Sequence, residues 1–477
     1  MHLGRGTRYW MALAVLSSSP IARLQGQGFG LNELSTCGIG RAYSAVATGC
    51  HDPSAIYWNP AAITQLSGWG IVLGASAIAV DGKFEQDTTF RTFKGDVPTA
   101  IVPHGYVTYH NPNSRVAWGL GVYVPYGLTT QWTDSFPGRF SAKKAALQTI
   151  YIQPNAAWQI NSRISVGVGP VIGHSHVELI QGIDLSQQTT TIAGQTVAFS
   201  SLGIATRTEF ARATLKGGAW GYGAHLGVQA RLSSSWMFGI RYLTPITFKY
   251  DDADATFAQV PTNLVLGGAI PNPANPTGPV LIGAGAQVDT LSLLRAAFAS
   301  GGPLSAQKVS TKITHPAQLQ VGFAYTGYKN WELEADYAYV GYHEFHELPI
   351  NFSNAATPDR TLIEDYNNSS SIRLGAEYRF SNDVHVRGGF AGVTRAAPDV
   401  TVTPLLPEQD RANYALGVSV PVFGRWIVDG GYVLVTTPGR RGRIDERSSR
   451  LQTATQLNSG VYSLTANIFA LSLKASF

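Results

Sequence analysis

Apolar and polar side chains alternate along most of the chain after Trp69. In the last segment the apolar residues share one parity and the polar residues the other: Phe469, Leu471, Leu473, Ala475 and Phe477 against Ser472, Lys474 and Ser476. An earlier segment repeats the pattern, with Trp331, Leu333, Ala335, Tyr337 and Tyr339 against Glu332, Glu334 and Asp336. Side chains of a β-strand point alternately to its two faces, so this period predicts strands with one apolar face. Apolar residues toward lipid and polar residues toward a lumen are typical of a membrane β-barrel.

The alternating pattern recurs in roughly fourteen segments. They lie near residues 69–86, 97–110, 115–130, 147–160, 163–181, 217–231, 235–250, 310–326, 330–346, 366–380, 383–395, 409–421, 425–437 and 462–477. Short turns and long insertions such as 182–215, 252–309 and 438–461 alternate between them, as expected of an outer-membrane barrel. The sequence therefore predicts an all-β fold, a closed antiparallel transmembrane barrel of about fourteen strands.

Composition supports a membrane barrel and argues against other classes of protein. Only 14% of residues are charged, against about 25% in soluble domains, and 44% are hydrophobic. The longest apolar run in the body of the chain, residues 71–80, is too short for a membrane-spanning helix. The net charge is +5, but the basic residues are scattered, so no nucleic-acid partner is expected.

Three regions follow from these patterns. Residues 1–26 have a basic start and a short apolar core and are predicted to be a signal peptide, with the cleavage site left open. Residues 27–67 lack alternation, and we expect them to fold into the lumen as a hatch. Residues 68–477 would form the barrel, which is expected in the outer membrane of a Gram-negative bacterium.

The only two cysteines, Cys37 and Cys50, lie in the expected hatch. In an oxidising compartment they can form a disulfide worth roughly 3 kcal/mol, or remain two thiols. The adjacent Cys50, His51 and Asp52 cannot easily converge on one ion, so no metal site is expected. No G-x-S-x-G, H-E-x-x-H or Walker motif occurs. The sequence predicts neither an enzyme nor a cofactor.

Several short motifs resemble the FadL family, the outer-membrane transporters of long-chain fatty acids and aromatic hydrocarbons that include TodX-like members. In the expected hatch they are Gly30-Leu-Asn-Glu-Leu-Ser35, Gly40-Arg-Ala-Tyr-Ser44 and Asn59-Pro-Ala61. In the barrel they are Pro125-Tyr-Gly-Leu128 and Pro407-Glu-Gln-Asp-Arg411. The resemblance implies a monomeric fourteen-stranded barrel with a hatch built from Asn32, Glu33, Gly40, Arg41, Tyr43, Ser44, Asn59, Pro60 and Ala61.

The resemblance also implies a lateral gap at a kink in the third strand, formed by Pro125, Tyr126, Gly127 and Leu128. Pro125 cannot donate a ladder hydrogen bond and Gly127 permits unusual backbone angles, although both would also suit a simple bulge. The function implied is passive transport of small hydrophobic compounds with lateral release. Expected partners are a hydrophobic ligand and the lipid and lipopolysaccharide of the outer membrane.

The chain departs from the fatty-acid members of the family in its lumenal charges. Where those members carry basic residues, this chain has Glu178 and Gln181, and His346 to Pro349. Candidate lumen or ligand contacts are His174, His176, Glu178, Arg373, Arg379 and Arg387, although the histidines and charges can equally brace the wall or the hatch. The departure favours neutral hydrocarbons or alkylaromatics over long-chain fatty acids. A structural or adhesive barrel and a general diffusion porin remain alternatives.

Overall fold

The computed structural model describes residues 28–87, 89–192, 195–269, 278, 280, 282–442 and 459–477. The predicted signal peptide, residues 1–26, lies outside these residues. No helix among the described residues is both long and apolar enough to cross a membrane.

Strands make up most of the described chain. They are β1 (Gly68–Gln86), β2 (Thr92–Lys94), β3 (Ala100–His110), β4 (Val116–Gln131), β5 (Lys144–Gln159), β6 (Ile164–Asp184), β7 (Thr189–Ile192), β8 (Gln195–Ala198), β9 (Glu209–Arg231), β10 (Trp236–Leu243), β11 (Ile246–Gln259), β12 (Gln307–His315), β13 (Gln318–Tyr325), β14 (Trp331–Val340), β15 (Glu347–Phe352), β16 (Arg360–Ile363), β17 (Ser369–Arg379), β18 (His385–Val393), β19 (Arg411–Phe423), β20 (Trp426–Thr436), β21 (Arg440–Gly442) and β22 (Gly460–Ser476).

These strands close into an antiparallel barrel with fourteen wall strands. Both β10 and β11 pair with β9, so together they form one wall strand, which is interrupted at Pro245. In the same way, β12 pairs with β11 and β13 pairs with β10, so β12 and β13 form the next wall strand, which is interrupted at Pro316. The wall then runs β1, β3, β4, β5, β6, β9, β10/β11, β12/β13, β14, β17, β18, β19, β20 and β22. The last strand pairs with the first from Gly70↔Ser476 to Gln86↔Gly460, which closes the ring. The predicted barrel and its strand number are confirmed.

The outer surface of the wall is apolar and the inner surface is polar or tightly packed. Leu471 is 64% exposed and Phe469 56%, whereas Ala470 between them is 7% exposed and Ser472 is 3% exposed. On β14, Trp331, Leu333 and Tyr337 are exposed while Glu334 and Asp336 are buried. The inward and outward faces predicted for these two strands are therefore confirmed.

The two rims differ in the length of their connections. One rim has short turns, such as residues 160–163 between β5 and β6 and residues 232–235 between β9 and β10. Because outer-membrane barrels keep short turns on the periplasmic side, we call this the periplasmic rim. The other rim carries the long loops, which include β7, β8 and the helix α3 (Ser292–Phe298). This helix packs its buried Leu294 into a cluster with Leu185 and Phe199.

Residues 28–67, called the N-terminal segment below, contain short helices instead of strands. These are α1 (Thr36–Gly40), α2 (Ala55–Trp58) and single turns at Gly49–His51 and Pro60–Gln65. The Ser35 hydroxyl caps α1 by accepting a hydrogen bond from the Gly38 amide, and the Asn59 side chain caps the last turn through the Ala61 amide. Almost every side chain of the segment is buried. Further single turns lie at Pro137–Phe140, Leu185–Gln187, Phe199–Leu202, Val288–Thr290 and Tyr342–Glu344.

Candidate functional site

The N-terminal segment contacts wall strands that lie on opposite sides of the barrel. At Gly239 of β10, an added Cβ atom would lie 2.1 Å from the carbonyl oxygen of Val46. On β19, a Cβ atom on Gly417 would lie 2.8 Å from the Cα atom of Gly40. Glycine is required at such positions because a larger residue would collide with the backbone of the segment. The segment therefore fits against the inner face of the wall with little space between them.

Two buried carboxylates of β14 hold one turn of the segment. Asp336 accepts hydrogen bonds from the amides of Ala45 and Val46, at 2.9 and 3.2 Å. Glu334 accepts from the Ala47 amide at 2.6 Å and from the Thr48 hydroxyl at 2.7 Å. Three successive backbone donors, which have no helix or strand partner of their own, are thus satisfied by the wall.

Arg41 completes this contact through buried ion pairs. Its guanidinium lies 2.7 Å from a carboxylate oxygen of Glu334 and 2.7 Å from one of Glu332, and its side chain has no solvent exposure. Burial by itself would lower the pKa of Arg41, but the two carboxylates outweigh this effect and raise the pKa above its ordinary value. The arginine is therefore held in its charged form between the segment and β14.

The other residues expected in the hatch make contacts within the N-terminal segment or between the segment and the wall. Asn32 accepts a hydrogen bond from Arg373 at 3.1 Å, and the Glu33 carboxylate accepts one from the Tyr43 hydroxyl at 2.7 Å. Asn59 donates to the carbonyls of Val46 and Val228, both at 2.9 Å. Ser44, Pro60 and Ala61 are buried in the same region.

A disulfide joins Cys37 and Cys50 within the segment. It links α1 to the turn at Gly49–His51, and the two cysteines are 13 positions apart along the chain. Both sulfur-bearing side chains are buried in the central apolar cluster. The bond therefore closes a small loop around Arg41, the residue that anchors the segment to β14.

The motif at residues 407–411 holds the first described residue of the segment. The Glu408 carboxylate accepts hydrogen bonds from the amides of Gly28, Ala396 and Ala397, and Arg411 donates to the Gly28 carbonyl at 3.2 Å. Burial raises the pKa of Glu408. The sequence motif gave no indication of this role, because its partner lies about 380 positions away along the chain.

The third wall strand, β4, separates from its neighbour at the predicted kink. Its ladder with β3 ends at the pair Gly105↔Val122, although β3 continues to Ala100 and β4 to Gln131. On the other side, its ladder with β5 shifts register between Tyr123 and Tyr126, where Pro125 lies. Between residues 123 and 130, β4 thus lacks a wall partner on its β3 side, and at Gln131 the carbonyl accepts a hydrogen bond from the Asp96 amide at 2.8 Å.

Residues 29–31 of the N-terminal segment occupy part of this open edge. The Leu31 amide donates to the Pro125 carbonyl at 2.9 Å, and the Gly127 amide donates to the Phe29 carbonyl at 3.0 Å. Gly30 and Tyr126 form the isolated bridge between these bonds. A Cβ atom on Gly127 would lie 2.8 Å from Leu31, and the Tyr126 hydroxyl donates to the Pro316 carbonyl. Three residues of the segment therefore act as a short added strand at the kink.

An apolar pocket lies beside the kink on the side of the long loops. Its empty volume is about 750 Å³, part of it open to solvent. Pockets that bind small molecules are lined mostly by apolar residues. The lining comes from the segment, five wall strands and two outer connections, and its apolar members include Phe29, Leu147, Leu179, Ile313, Phe345 and Leu348.

Apart from Thr311, Glu178 and Lys216, every residue that lines this pocket is apolar. The Glu178 carboxylate is ion-paired with Lys144 Nζ at 2.7 Å, and Lys216 is an exposed lysine on β9. A ligand carboxylate would therefore meet mainly apolar walls, with one existing ion pair and one lysine at the border.

The expectation that His174 and His176 face the lumen is wrong, whereas Glu178 lies in the lining of the apolar pocket. The two histidines share parity with the exposed Ile172, whereas Val171 and Ser175 on the other parity are fully buried. The His174 ring packs against the exposed Trp220, with 4.7 Å between ring centroids. The inward parity of β6 carries the glycines that contact the N-terminal segment and neighbouring rings, such as Gly167 beside Pro60. The small residues face inward here because the lumen is filled at that level.

The three arginines proposed as ligand contacts have other partners. Arg373 donates to the carbonyl of Tyr43 and to Asn32, both in the N-terminal segment. Arg387 binds Glu377 at 2.6 Å, and Arg379 lies exposed with its Nε 3.1 Å from His385. None of the three lines the apolar pocket. Among the described residues, no group of three or more histidine, cysteine or acidic side chains could hold a metal ion.

Comparison with known proteins identifies the family. The profile of the outer membrane protein transport family (OMPP1/FadL/TodX) matches residues 14–477. The chain belongs to this family. It is 27% identical over 421 residues to the long-chain fatty acid transport protein of Escherichia coli strain CFT073, covering 86% of each chain.

Solved structures of the FadL family share the fold. A FadL homologue from Pseudomonas aeruginosa aligns with a TM-score of 0.73 at 18% identity, covering 94% of this chain and 100% of the other. The toluene transporter TbuX of Ralstonia pickettii aligns with a TM-score of 0.60 at 18% identity, covering 95% and 99%. The chain is therefore a transport barrel of the outer membrane of a Gram-negative bacterium, and not an enzyme.

Proposed function

We propose that this FadL-family barrel takes up small neutral hydrophobic compounds, such as alkylaromatics or alkanes, and releases them sideways into the outer membrane at the kink in β4. The observation that carries the proposal is the pocket itself, in which fourteen of the seventeen lining residues are apolar and which lies beside a wall strand whose open edge is covered by residues 29–31. An apolar solute gains free energy in such a pocket, by roughly 25 cal/mol per Å² of apolar surface removed from water.

Phe29 is positioned to couple the pocket to the kink. Its ring lines the pocket and contacts Tyr126, Tyr342 and Phe345, while its carbonyl accepts the Gly127 amide. Withdrawal of residues 29–31 would remove the side chain from the pocket and uncover the edge of β4 in one movement. Residues 28–67 then serve as the hatch that keeps water and ions from crossing. Transport down a gradient needs only a shift between closed and open populations.

The relatives support a hydrophobic cargo, but they include transporters of both neutral and carboxylate-bearing compounds. TbuX and TodX are described as toluene transporters, and the Escherichia coli relative as a long-chain fatty acid transport protein. The lining of the pocket favours the neutral class, because most of it is apolar and burying a carboxylate against apolar walls, away from Lys216, costs several kcal/mol.

The lateral route is tested by replacing Gly127 with arginine. An arginine here would project toward Leu31 and fill the space at the kink, so uptake of a labelled alkylbenzene by intact cells should fall to the level of cells that lack the protein. Gly268→Arg is the control, since nothing lies within 4 Å of an added Cβ atom on that outer loop. Folding of each variant is checked by its heat-dependent mobility on a gel. Unchanged uptake by a folded Gly127→Arg barrel would contradict lateral release through the kink.

The same cells distinguish the alternatives. Equal uptake of neutral and carboxylate-bearing substrates would contradict the preference for neutral compounds. A large single-channel conductance in a planar bilayer would indicate a general porin and an ineffective hatch.

A further inference from the structure

A second cavity lies at the periplasmic end of the lumen and has the opposite chemistry. It has an empty volume of about 670 Å³ and lies below the last turn of the N-terminal segment, between the starts or ends of β5, β6 and β9. Its lining includes Arg163, Arg231, Gln65, Gln159, Gln229 and Ser165, with no aspartate or glutamate. We call this cavity the periplasmic vestibule.

The two arginines of the vestibule lie directly opposite each other on neighbouring strands. The ladder between β6 and β9 pairs Ile164 with Ala230, and the Arg231 amide donates to the Arg163 carbonyl at 2.7 Å. Side chains at opposite positions have Cβ atoms about 5 Å apart, and like charges there are destabilising. Both arginines are exposed to solvent, and neither has an ion pair with any of the described residues, so an oxyanion can reach and bridge them.

The surroundings reinforce the positive potential of the vestibule. The short periplasmic turns carry Arg115, Arg163, Lys329 and Arg425, against a single acid, Asp383. The other polar residues of the lining are neutral amides and hydroxyls. A cavity with cations, amide donors and no competing carboxylate is suited to an oxyanion, which arginine can bind through two parallel hydrogen bonds.

The vestibule is also in direct contact with the N-terminal segment. Gln229 donates to the Ala47 carbonyl at 2.6 Å and accepts from Gln65 at 2.6 Å, and the Thr64 hydroxyl donates to Ser165 at 2.8 Å. A group bound between the arginines would therefore lie against the turn that Glu334 anchors from the other side.

We propose that the periplasmic vestibule is a binding site for a carboxylate or phosphate group, held between Arg163 and Arg231. The site is distinct from the apolar pocket, which lies on the other side of the N-terminal segment. The group belongs either to a small free anion or to the head of an anionic amphiphile such as a phospholipid of the periplasmic leaflet.

Titration calorimetry of the purified full-length barrel in non-ionic detergent tests the site. The probes are inorganic phosphate, hexanoate and dihexanoyl-phosphatidylglycerol, which separate a free anion, a carboxylate on an apolar tail and a phospholipid head. The Arg163→Gln/Arg231→Gln double variant should bind the preferred probe at least about tenfold more weakly, because hydrogen bonds to charged groups are worth roughly 1.5–3 kcal/mol. Arg425→Gln, on the same rim but outside the vestibule, should bind as the wild type does.

A second variant keeps both arginines and keeps the shape of the lining. Gln159→Glu supplies a carboxylate inside the vestibule, so it should abolish binding of the probes while raising the unfolding temperature by relieving the repulsion between the arginines. Absence of binding of all three probes to the wild type would overturn the proposal. Unaltered binding by the double variant, or an equal loss in Arg425→Gln, would overturn it as well, since the rim as a whole and not the vestibule would then attract anions.

Discussion

At the scale of single residues, the contact between Arg41 and β14 is the one most sensitive to substitution. A buried ion pair that loses one partner leaves an uncompensated charge, which costs about 3–5 kcal/mol. In Arg41→Ala the fully buried Glu334 loses its cation, and Glu332 keeps only its contact with His51 at 2.8 Å. We expect the N-terminal segment to detach from the wall in this variant, and the single-channel conductance in a planar bilayer to rise well above that of the wild type.

Arg295→Ala is the matched control, because Arg295 is an exposed arginine on α3. It should leave the conductance as it is in the wild type. If Arg41→Ala conducts no more than Arg295→Ala, the ion pairs with β14 are not what holds the segment in place.

The buried Glu364 should make the stability of the folded protein depend on pH. Glu364 lies in the outer connection before β17, and burial together with the neighbouring Asp365 raises its pKa to about 8. A carboxyl group with a raised pKa in the folded state stabilises that state fully below its unfolded pKa of about 4.3, and this contribution is lost as pH rises to 8. Between these two pH values, the free energy of unfolding should fall by up to about 1.4 kcal/mol per pH unit.

Limited proteolysis of the outer loops at pH 5 and pH 8 measures this effect. Cleavage should be faster at pH 8 in the wild type, and Glu364→Gln should reduce the difference between the two pH values. Glu344→Gln, in which an exposed carboxylate is replaced, should behave as the wild type does. A pH dependence that persists unchanged in Glu364→Gln would assign it to another group.

At the scale of elements, the added strand at residues 29–31 can be fixed to β4 by a disulfide. The two hydrogen bonds that flank Gly30 and Tyr126 make them a non-hydrogen-bonded antiparallel pair, whose Cα atoms are about 4.5 Å apart. This spacing is within the range of natural disulfides. In Gly30→Cys/Tyr126→Cys, uptake of an alkylbenzene should be low under oxidising conditions and should recover after a reducing agent is added.

Two controls accompany this experiment. The wild type treated with the same reductant accounts for reduction of the bond between Cys37 and Cys50. Each single cysteine variant accounts for the loss of Gly30 or Tyr126. If the cross-linked barrel, verified by mass spectrometry, transports as well as the reduced one, then residues 29–31 need not move during uptake.

Sequence patterns predicted the strands well, but they predicted only in part which side chains of each strand point toward the lumen. On β14 and β22 the apolar and polar parities differ clearly, so both faces could be assigned from the alternation. On β6 the polar His174 and His176 lie outward, and the inward parity carries small residues such as Gly167 and Ser175. Ile164, Val168 and Ile172 share the parity of the histidines and indicate the lipid-facing side, so the signal was present. It competed with the general expectation that polar residues face a lumen.

The apolar pocket could not have been predicted from alternation. Its lining combines Phe29, Leu147, Ile313 and Leu348, which are far apart in the sequence and meet only because the barrel closes around the N-terminal segment. Only the absence of basic residues near 178 and 346–349 could be anticipated, and this came from family resemblance. The kink was visible as Pro125 and Gly127, but the loss of pairing with β3 depends on how two strands diverge in space.

At the scale of the whole molecule, the two cavities divide the lumen into an apolar outer part and a cationic periplasmic part, with the N-terminal segment between them. Selectivity for neutral cargo should then depend on the charge of the outer part alone. Leu348 lines the apolar pocket and lies in the stretch His346 to Pro349, where the family resemblance implies a basic residue in fatty-acid transporters. Leu348→Lys should therefore increase uptake of palmitate relative to an alkylbenzene by about tenfold, because a hydrogen-bonded ion pair to the carboxylate contributes roughly 1.5–3 kcal/mol.

Leu348→Met provides the matched control, since it preserves the volume and apolar character of the pocket. The ratio of palmitate to alkylbenzene uptake in this variant should equal that of the wild type, measured in the same cells and at the same surface abundance. The pocket is partly open to solvent, so the lysine can stay hydrated when no ligand is bound and the barrel should fold. If the lysine leaves the ratio unchanged, cargo does not pass through this pocket. If it lowers both uptakes equally, the pocket lies on the route but does not select by charge.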